Sequence, residues 1–329
     1  MKHFLTLLLI SSLYLSALAQ STPYFPEELI VTADNLNMRS APGKNATKTG
    51  SLIKGTVVQF LEAWNNGEYV QLDTTDENSP FGPWLKVRSG NKTGWVFGSY
   101  LTGTTGLYYE EAILFEEPAT ELFNWYGVYP RDSFADELRV VKVMKGKVTD
   151  EFSGQELDVL KTDQEDASKF LIASRIPLKT GYCGPMGYMD VEQAGCVSML
   201  SPGTQFAVYP GNDVSDTLIK PAYGIAVTGC AELEGMIAVI KNFNVNILDY
   251  ATEPLMVQNL TSWLTPENPE EAPIVEMLWF GDVDRDNKPD IIFQDCPYAG
   301  GCRSSLYLSS RAKSDELLHK VCEHFWPGE

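Results

Sequence analysis

Trp84-Leu85-Lys86-Val87-Arg88-Ser89-Gly90-Asn91-Lys92-Thr93-Gly94-Trp95-Val96 reads as a β-hairpin. Trp84 to Val87 alternates apolar and polar residues, as a half-buried strand does. Ser89 to Gly94 is a turn whose Gly-Asn and Thr-Gly dipeptides supply positive φ, and Trp95-Val96 starts the next strand. Upstream, Gly55-Thr56-Val57-Val58-Gln59-Phe60-Leu61 is a strand opened by glycine, and Leu36-Asn37-Met38-Arg39-Ser40-Ala41-Pro42-Gly43 precedes it. From Ile30 to Gly103 the spacing predicts about five short strands in about seventy residues, a small barrel.

These segments, in this order, resemble the bacterial SH3 family. The matching points are Leu36 to Ser40 with Pro42, Lys54-Gly55-Thr56-Val57, Trp84-Leu85-Lys86-Val87, and Thr93-Gly94-Trp95-Val96 with Tyr100-Leu101. One stretch departs from the family: Asn65 to Pro83 is a longer, acidic hairpin. The resemblance implies an SH3-like barrel that binds something in the cell envelope, a cell-wall peptide or an envelope protein. Its candidate ligand-binding aromatics are Trp64, Tyr69, Trp84, Trp95 and Tyr100. An aromatic offers flat contact area at low entropic cost. In so small a barrel the tryptophans also compete for core positions.

The chain has 329 residues, enough for two domains. Lys2 and His3 precede an apolar run from Phe4 to Ala19 that ends in the small-x-small pattern Ala17-Leu18-Ala19. This predicts a secretory signal peptide over 1–19 and a periplasmic or secreted product. No later apolar run predicts a membrane span. Residues 20–103 are expected to form the barrel and 104–329 a second domain, with Thr102-Gly103-Thr104-Thr105-Gly106 as the boundary. A net charge of −19 argues against nucleic acid and anionic lipid as partners.

Beyond residue 104 the β signals continue, predicting a larger, sandwich-like, mainly β domain. They include Arg139 to Met144, Gly203 to Tyr209, Tyr223 to Cys230 and Gly235 to Ile240. Thr265 to Pro273 reads as a surface loop. Leu317, Val321 and Phe325 recur every four residues after Ser314-Asp315-Glu316, which predicts a C-terminal helix, although even spacing also suits a strand. All six cysteines lie in this half, and an even number in an exported chain predicts disulfides. The expected pairs are Cys183–Cys196, Cys296–Cys302 and Cys230–Cys322. A zinc site is the rival reading, but no C-x-x-C occurs.

One local constellation carries chemistry. Asp282-Val283-Asp284-Arg285-Asp286-Asn287-Lys288-Pro289-Asp290 spaces carboxylates at loop positions one, three, five and nine, with the Lys288 carbonyl at seven. Calcium takes oxygen ligands from such a loop, and Asn287 suits the left-handed position six. Position twelve is Phe293 instead of glutamate, so this is not an EF-hand. The strand–acidic loop–strand unit resembles the calcium loops of FG-GAP-type repeats, though one copy cannot build a propeller. The expectation is structural calcium at Asp282, Asp284, Asp286, Lys288 and Asp290. The competing reading is a hairpin whose acids cap turns.

No catalytic set emerges. Beyond residue 19 the only histidines are His319 and His324, and H-E-x-x-H, G-x-S-x-G and a phosphate loop are all missing. The expected function is a non-catalytic envelope-binding protein. The alternatives are a cell-wall hydrolase working through carboxylates and targeted by its SH3-like domain, and a structural scaffold.

Overall fold

The computed structural model describes residues 24–326 apart from 77, 113, 115–117, 133–134, 150–153, 185–187, 191–204, 209–222, 235–236, 254, 265–273 and 297–300. The expected signal segment 1–19 lies outside these residues. The barrel strands are β1 (Glu28–Val31), β2 (Asn35–Arg39), β3 (Lys48–Ile53), β4 (Val57–Ala63), β5 (Val70–Gln71), β6 (Phe81–Gly82), β7 (Trp84–Ser89), β8 (Lys92–Phe97) and β9 (Leu101–Gly103). Seven form one sheet in the order β3-β2-β8-β7-β4-β1-β9, and β5–β6 is a separate hairpin built from the acidic insertion.

The alternation read from the sequence holds. Leu36, Met38, Leu85, Val87 and Val96 point inward to one core with Leu29, Val31, Leu52 and Val58. Gly90 turns the β7–β8 hairpin with φ +56°. Gly94 serves a different purpose from the one expected. It is not at positive φ; an added Cβ would lie 3.2 Å from the Arg39 carbonyl, so glycine lets β2 cross β8 closely.

Beyond the barrel come β10 (Thr105–Tyr108), β11 (Asn124–Asp132), β12 (Ala135–Val140), β13 (Val143–Thr149), β14 (Glu156–Thr162), β15 (Phe170–Ser174), β16 (Gly181–Gly184) and β17 (Tyr188–Asp190). They are followed by β18 (Gln205–Val208), β19 (Tyr223–Glu234), β20 (Ile237–Asp249) and β21 (Met256–Asn259). One helical turn, α1 (Thr261–Leu264), precedes β22 (Ile274–Gly281), β23 (Asp290–Cys296), β24 (Cys302–Leu308) and β25 (His319–Trp326). The chain changes sheet at Thr104: Gly103 pairs with Leu29 of β1, and Thr105 with Ser174 of β15.

Among the described residues β13–β14 forms a separate hairpin and three larger sheets follow, ordered β10-β15-β11-β12-β16, β17-β18-β19-β20-β21 and β22-β23-β24-β25. The last is the middle layer of a stack. Ile291 and Phe293 face the β19–β20 side with Ile225, Val245 and Ile247, whereas Ile292 faces the β11–β15 side with Val128, Phe170 and Ile172. In β24, Tyr307 takes the first face, and Leu306 and Leu308 take the second. A strand covered on both sides loses polar alternation, which is why Ile291-Ile292-Phe293 is a continuous apolar run. Each such side chain contributes about 1.5–3 kcal/mol of burial. The expected sandwich is thus mainly β as predicted, but three sheets deep. Among the described residues no helix is long and apolar enough to cross a membrane.

Two local expectations change. Arg139 to Met144 is not one strand: it ends β12 and begins β13. The break falls at Val141, whose amide donates to the Trp125 carbonyl while its side chain enters a core. The predicted C-terminal helix is strand β25, because β24 presents an open edge that seven residue pairs close. A bulge at Val321 between the pairs Leu306↔Cys322 and Tyr307↔Lys320 breaks the strict alternation that would have marked a strand.

The disulfide expectations divide. Cys296–Cys302 forms as expected, closing the β23–β24 connection. A ring this short stabilises by about 2 kcal/mol on chain-entropy grounds. Cys183 and Cys322 are buried free thiols, so the expected Cys183–Cys196 and Cys230–Cys322 pairs are not formed. Cys196 and the Cys230 side chain lie outside the described residues. Both free thiols sit as small apolar groups in the layer between two sheets. Burial pushes each up to about 12. Neither is expected to react with a thiol reagent at pH about 8 until the protein is denatured. Peptide mapping after native labelling checks this, and native modification of either residue would contradict the packing.

Candidate functional site: an aromatic pocket and an acidic loop

The insertion Asn65–Pro83 builds the first site. Asn65 and Asn66 adopt φ of 48° and 55°, which Asn tolerates, and turn the chain out of β4. Asp73 and Asp76 cap the hairpin by accepting the amides of Thr75 and Asn78 at 3.1 and 3.0 Å. The hairpin is tied to the barrel where Ser99 Oγ donates to the Phe81 carbonyl and the Gly98 amide to the Pro83 carbonyl, each at 2.7 Å. Tyr69 and Phe81 therefore stand side by side, ring centres 5.7 Å apart, 50 % and 62 % exposed. They border a pocket of about 180 Å³ that also takes in Tyr24, Phe25, Pro26 and Pro83. Its lining carries no charged side chain.

The five aromatics expected here separate. Tyr69 lines the pocket, and Trp64 is 40 % exposed in the turn that starts the insertion. Trp84 is not on the surface. It is 5 % exposed with its ring edge-on to Phe97 at 5.4 Å, and Tyr100, its ring centre 6.2 Å from that of Phe97, packs on the barrel core. Trp95 is half-buried beneath Lys86, whose ammonium lies 5.7 Å from the ring centre. Sequence reasoning missed Phe81 and the arm Tyr24-Phe25-Pro26; the departure of 65–83 from the family pattern was the available signal for the first.

The acidic loop is the second site. Asp282, Asp284 and Asp290 bring carboxylate oxygens within 4.8 Å of one another, so the triad can hold a metal ion. Arg285 and Asn287 adopt φ of 61° and 66° and curl the loop. Asp282 accepts the amides of Asp286 and Asn287 at 3.0 and 2.9 Å. Asp290 is fully buried, and its donors are all neutral: the Val283 amide at 2.8 Å, the Ser309 amide at 2.9 Å and Ser309 Oγ at 3.2 Å. Asp284 bonds Ser310 through Oδ2, while its buried Oδ1 has no partner.

Among the described residues no basic side chain balances these charges. Arg285 turns away and donates to the Thr180 carbonyl at 2.7 Å. Asp286 sits outside the triad: it accepts Ser309 Oγ at 3.1 Å and the Lys288 amide at 2.9 Å. Burial raises Asp282, Asp284 and Asp290 above the usual carboxylate range, most of all Asp290, and mutual repulsion adds to it. A buried carboxylate without a cation is costly, and a metal ion held by the triad would offset that cost. The serines that cap it lie some twenty residues downstream, beyond the reach of local motif reading.

The sign of the pH dependence follows. Folded-state values above the unfolded ones mean that these carboxylates weaken the fold at neutral pH, and that the penalty lifts as pH falls through the raised values. In chelator, the protein is expected to gain melting temperature from pH about 7 to about 5 relative to Asp284→Asn, which lacks one of the charges. Burial lowers His324, which opposes this below its ordinary value, but both proteins share that term. Parallel melting curves for the two would refute the repulsion.

The histidines hold structural places. His319 Nδ1 lies 2.9 Å from Glu316, and His324 packs 5.6 Å from Tyr109 and 6.2 Å from Tyr108. Residues 34–102 match the family model of the bacterial SH3 domain. No curated protein and no solved structure matches the chain.

Proposed function

We propose, starting from the bacterial SH3 domain at residues 34–102, that this chain is an exported envelope protein, periplasmic or secreted, that binds a cell-wall peptide through its barrel and catalyses nothing. The observation that carries the reading is the exposed Tyr69–Phe81 pair over an uncharged pocket. Such a surface suits the backbone and small side chains of an extended peptide, and rigid aromatics lose little entropy on binding. The carboxylate-hydrolase alternative finds no support in the acidic loop. Asp290 is fully buried and hydrogen-bonded to Ser309, leaving no room for a sugar between the carboxylates. The loop instead serves as a calcium staple, with Asp282, Asp284 and Asp290 as ligands. Calcium favours such hard oxygen donors, and weak extracellular-type affinity suffices for a structural role.

The test is co-sedimentation of the full chain with purified peptidoglycan sacculi, for the wild type and for Tyr69→Ala and Phe81→Ala. Each exposed aromatic is expected to account for about 2 kcal/mol, about thirtyfold in affinity, with the melting temperature unchanged. Equal pelleting by all three proteins would remove the pocket from the reading. The contacts of Tyr24 with Lys320 and of Glu27 with Lys313 favour a second reading, a scaffold whose barrel only braces its own chain; that reading expects no pelleting by the wild type.

A further inference from the structure

We infer that Tyr24 and Glu27 are positioning residues of the barrel's binding face: the C-terminal sheet holds the arm 24–27 as one wall of the aromatic pocket, so the barrel binds fully only while docked. The inference rests on the pocket reading above.

The arm divides its side chains between the barrel and the C-terminal sheet. Phe25 turns into the barrel and stacks on Phe60 at 5.2 Å. Tyr24 turns to the C-terminal sheet. Its hydroxyl donates to the Lys320 carbonyl at 2.5 Å, and its ring lies 4.6 Å from the Lys320 ammonium. That ammonium is itself held by Glu323 at 2.7 Å. Glu27 pairs with Lys313 at 2.5 Å. Two of the four arm residues thus have their partners on the far side of a cleft of about 460 Å³.

The same arm borders the ligand pocket. Tyr24 and Pro26 line both the cleft and the aromatic pocket. Before Glu28 the arm belongs to no sheet; its backbone tie to the barrel is the Phe60 amide donating to the Glu27 carbonyl at 2.8 Å. A segment outside every sheet, tied to the barrel by the Phe25 ring and one backbone hydrogen bond, opens easily. Without the C-terminal partners the pocket keeps Tyr69 and Phe81 but loses its opposite wall for much of the time. If the wall is in place one tenth of the time, apparent affinity falls about tenfold.

The test is a charge swap on the full chain: Lys313→Glu, the double variant Glu27→Lys with Lys313→Glu, and Tyr24→Phe. Two readouts are taken, amide hydrogen exchange at residues 24–28 and 60, and pelleting with purified sacculi. Lys313→Glu and Tyr24→Phe are expected to accelerate exchange there and weaken pelleting about tenfold, and the double swap to restore both. Restoration separates docking from simple loss of a lysine. Unchanged exchange in Lys313→Glu and Tyr24→Phe overturns the clamp, whatever the sacculi do. Accelerated exchange with undiminished pelleting overturns the arm's part in binding. A wild type that does not pellet sinks the wall-peptide reading itself, and with it the binding half of the inference.

Discussion

Alanine at Gly281 is expected to lower the melting temperature by about 10 °C. An added Cβ would lie 2.3 Å from the Cys183 carbonyl and 2.3 Å from the Trp279 ring. The first contact is with backbone, which cannot rotate away. The Cys183 carbonyl also accepts the Asp282 amide at 2.7 Å, and this bond anchors the acidic loop to β16. Overpacking costs about 1–3 kcal/mol and the lost hydrogen bond about 1 kcal/mol more. At roughly 2–4 °C per kcal/mol for a cooperative unit of about 150–250 residues, the sum is a shift of about 10 °C. The effect reaches further than one clash. Trp279 Nε1 donates to Asp136 at 2.9 Å, and Asp136, itself buried, pairs with Lys169 at 2.7 Å. A displaced Trp279 therefore disturbs the seam between two sheets. Differential scanning calorimetry of Gly281→Ala reads the result; a shift under about 2 °C would show that β16 and β22 separate without resistance.

Calcium at about 10 mM is expected to raise the melting temperature of the chelated protein by about 5–10 °C at pH about 7. With a dissociation constant near 10⁻⁴ M, typical of extracellular modules, that concentration is about a hundredfold excess and contributes about 2.7 kcal/mol. Asp284→Asn should abolish the shift. It removes one charge and the carboxylate oxygen Oδ1 that has no protein partner, while an amide oxygen can still accept from Ser310. The metal-free variant is therefore expected to be no less stable than the metal-free wild type. An equal calcium shift in both proteins would exclude the triad as the site. Magnesium should do less, because it demands tighter octahedral geometry and releases its waters reluctantly.

The barrel was legible because its sequence obeys local rules. Alternation in Trp84–Val87, the turn at Gly90 and the apolar positions Leu36 and Met38 all lie where the fold places them. The acidic loop was legible for the same reason: its carboxylates, and the left-handed Asn287, are set by short-range spacing. What escaped was set at long range. Ile291-Ile292-Phe293 spells burial on both faces, but a run of three does not say that sheets cover it from two sides. The partner of Asp290 is Ser309, and that of Tyr24 is Lys320, and no window of sequence contains either pair. Trp84 was a candidate for both surface and core, as the tryptophans of so small a barrel are; the closing of the barrel onto Phe97 places it in the core, whereas Tyr69 stays exposed.

Tyr24 and Lys320 are 296 residues apart, and β25, which carries Lys320, is the last strand of the chain. Domains fold in the order in which the ribosome releases them, at about 5–20 residues per second. The last barrel residue, Gly103, is therefore released about 10–45 s before Lys320 at that rate. During that interval the barrel stands alone with its arm loose, and a polypeptide terminated ten residues early would stay that way for its lifetime.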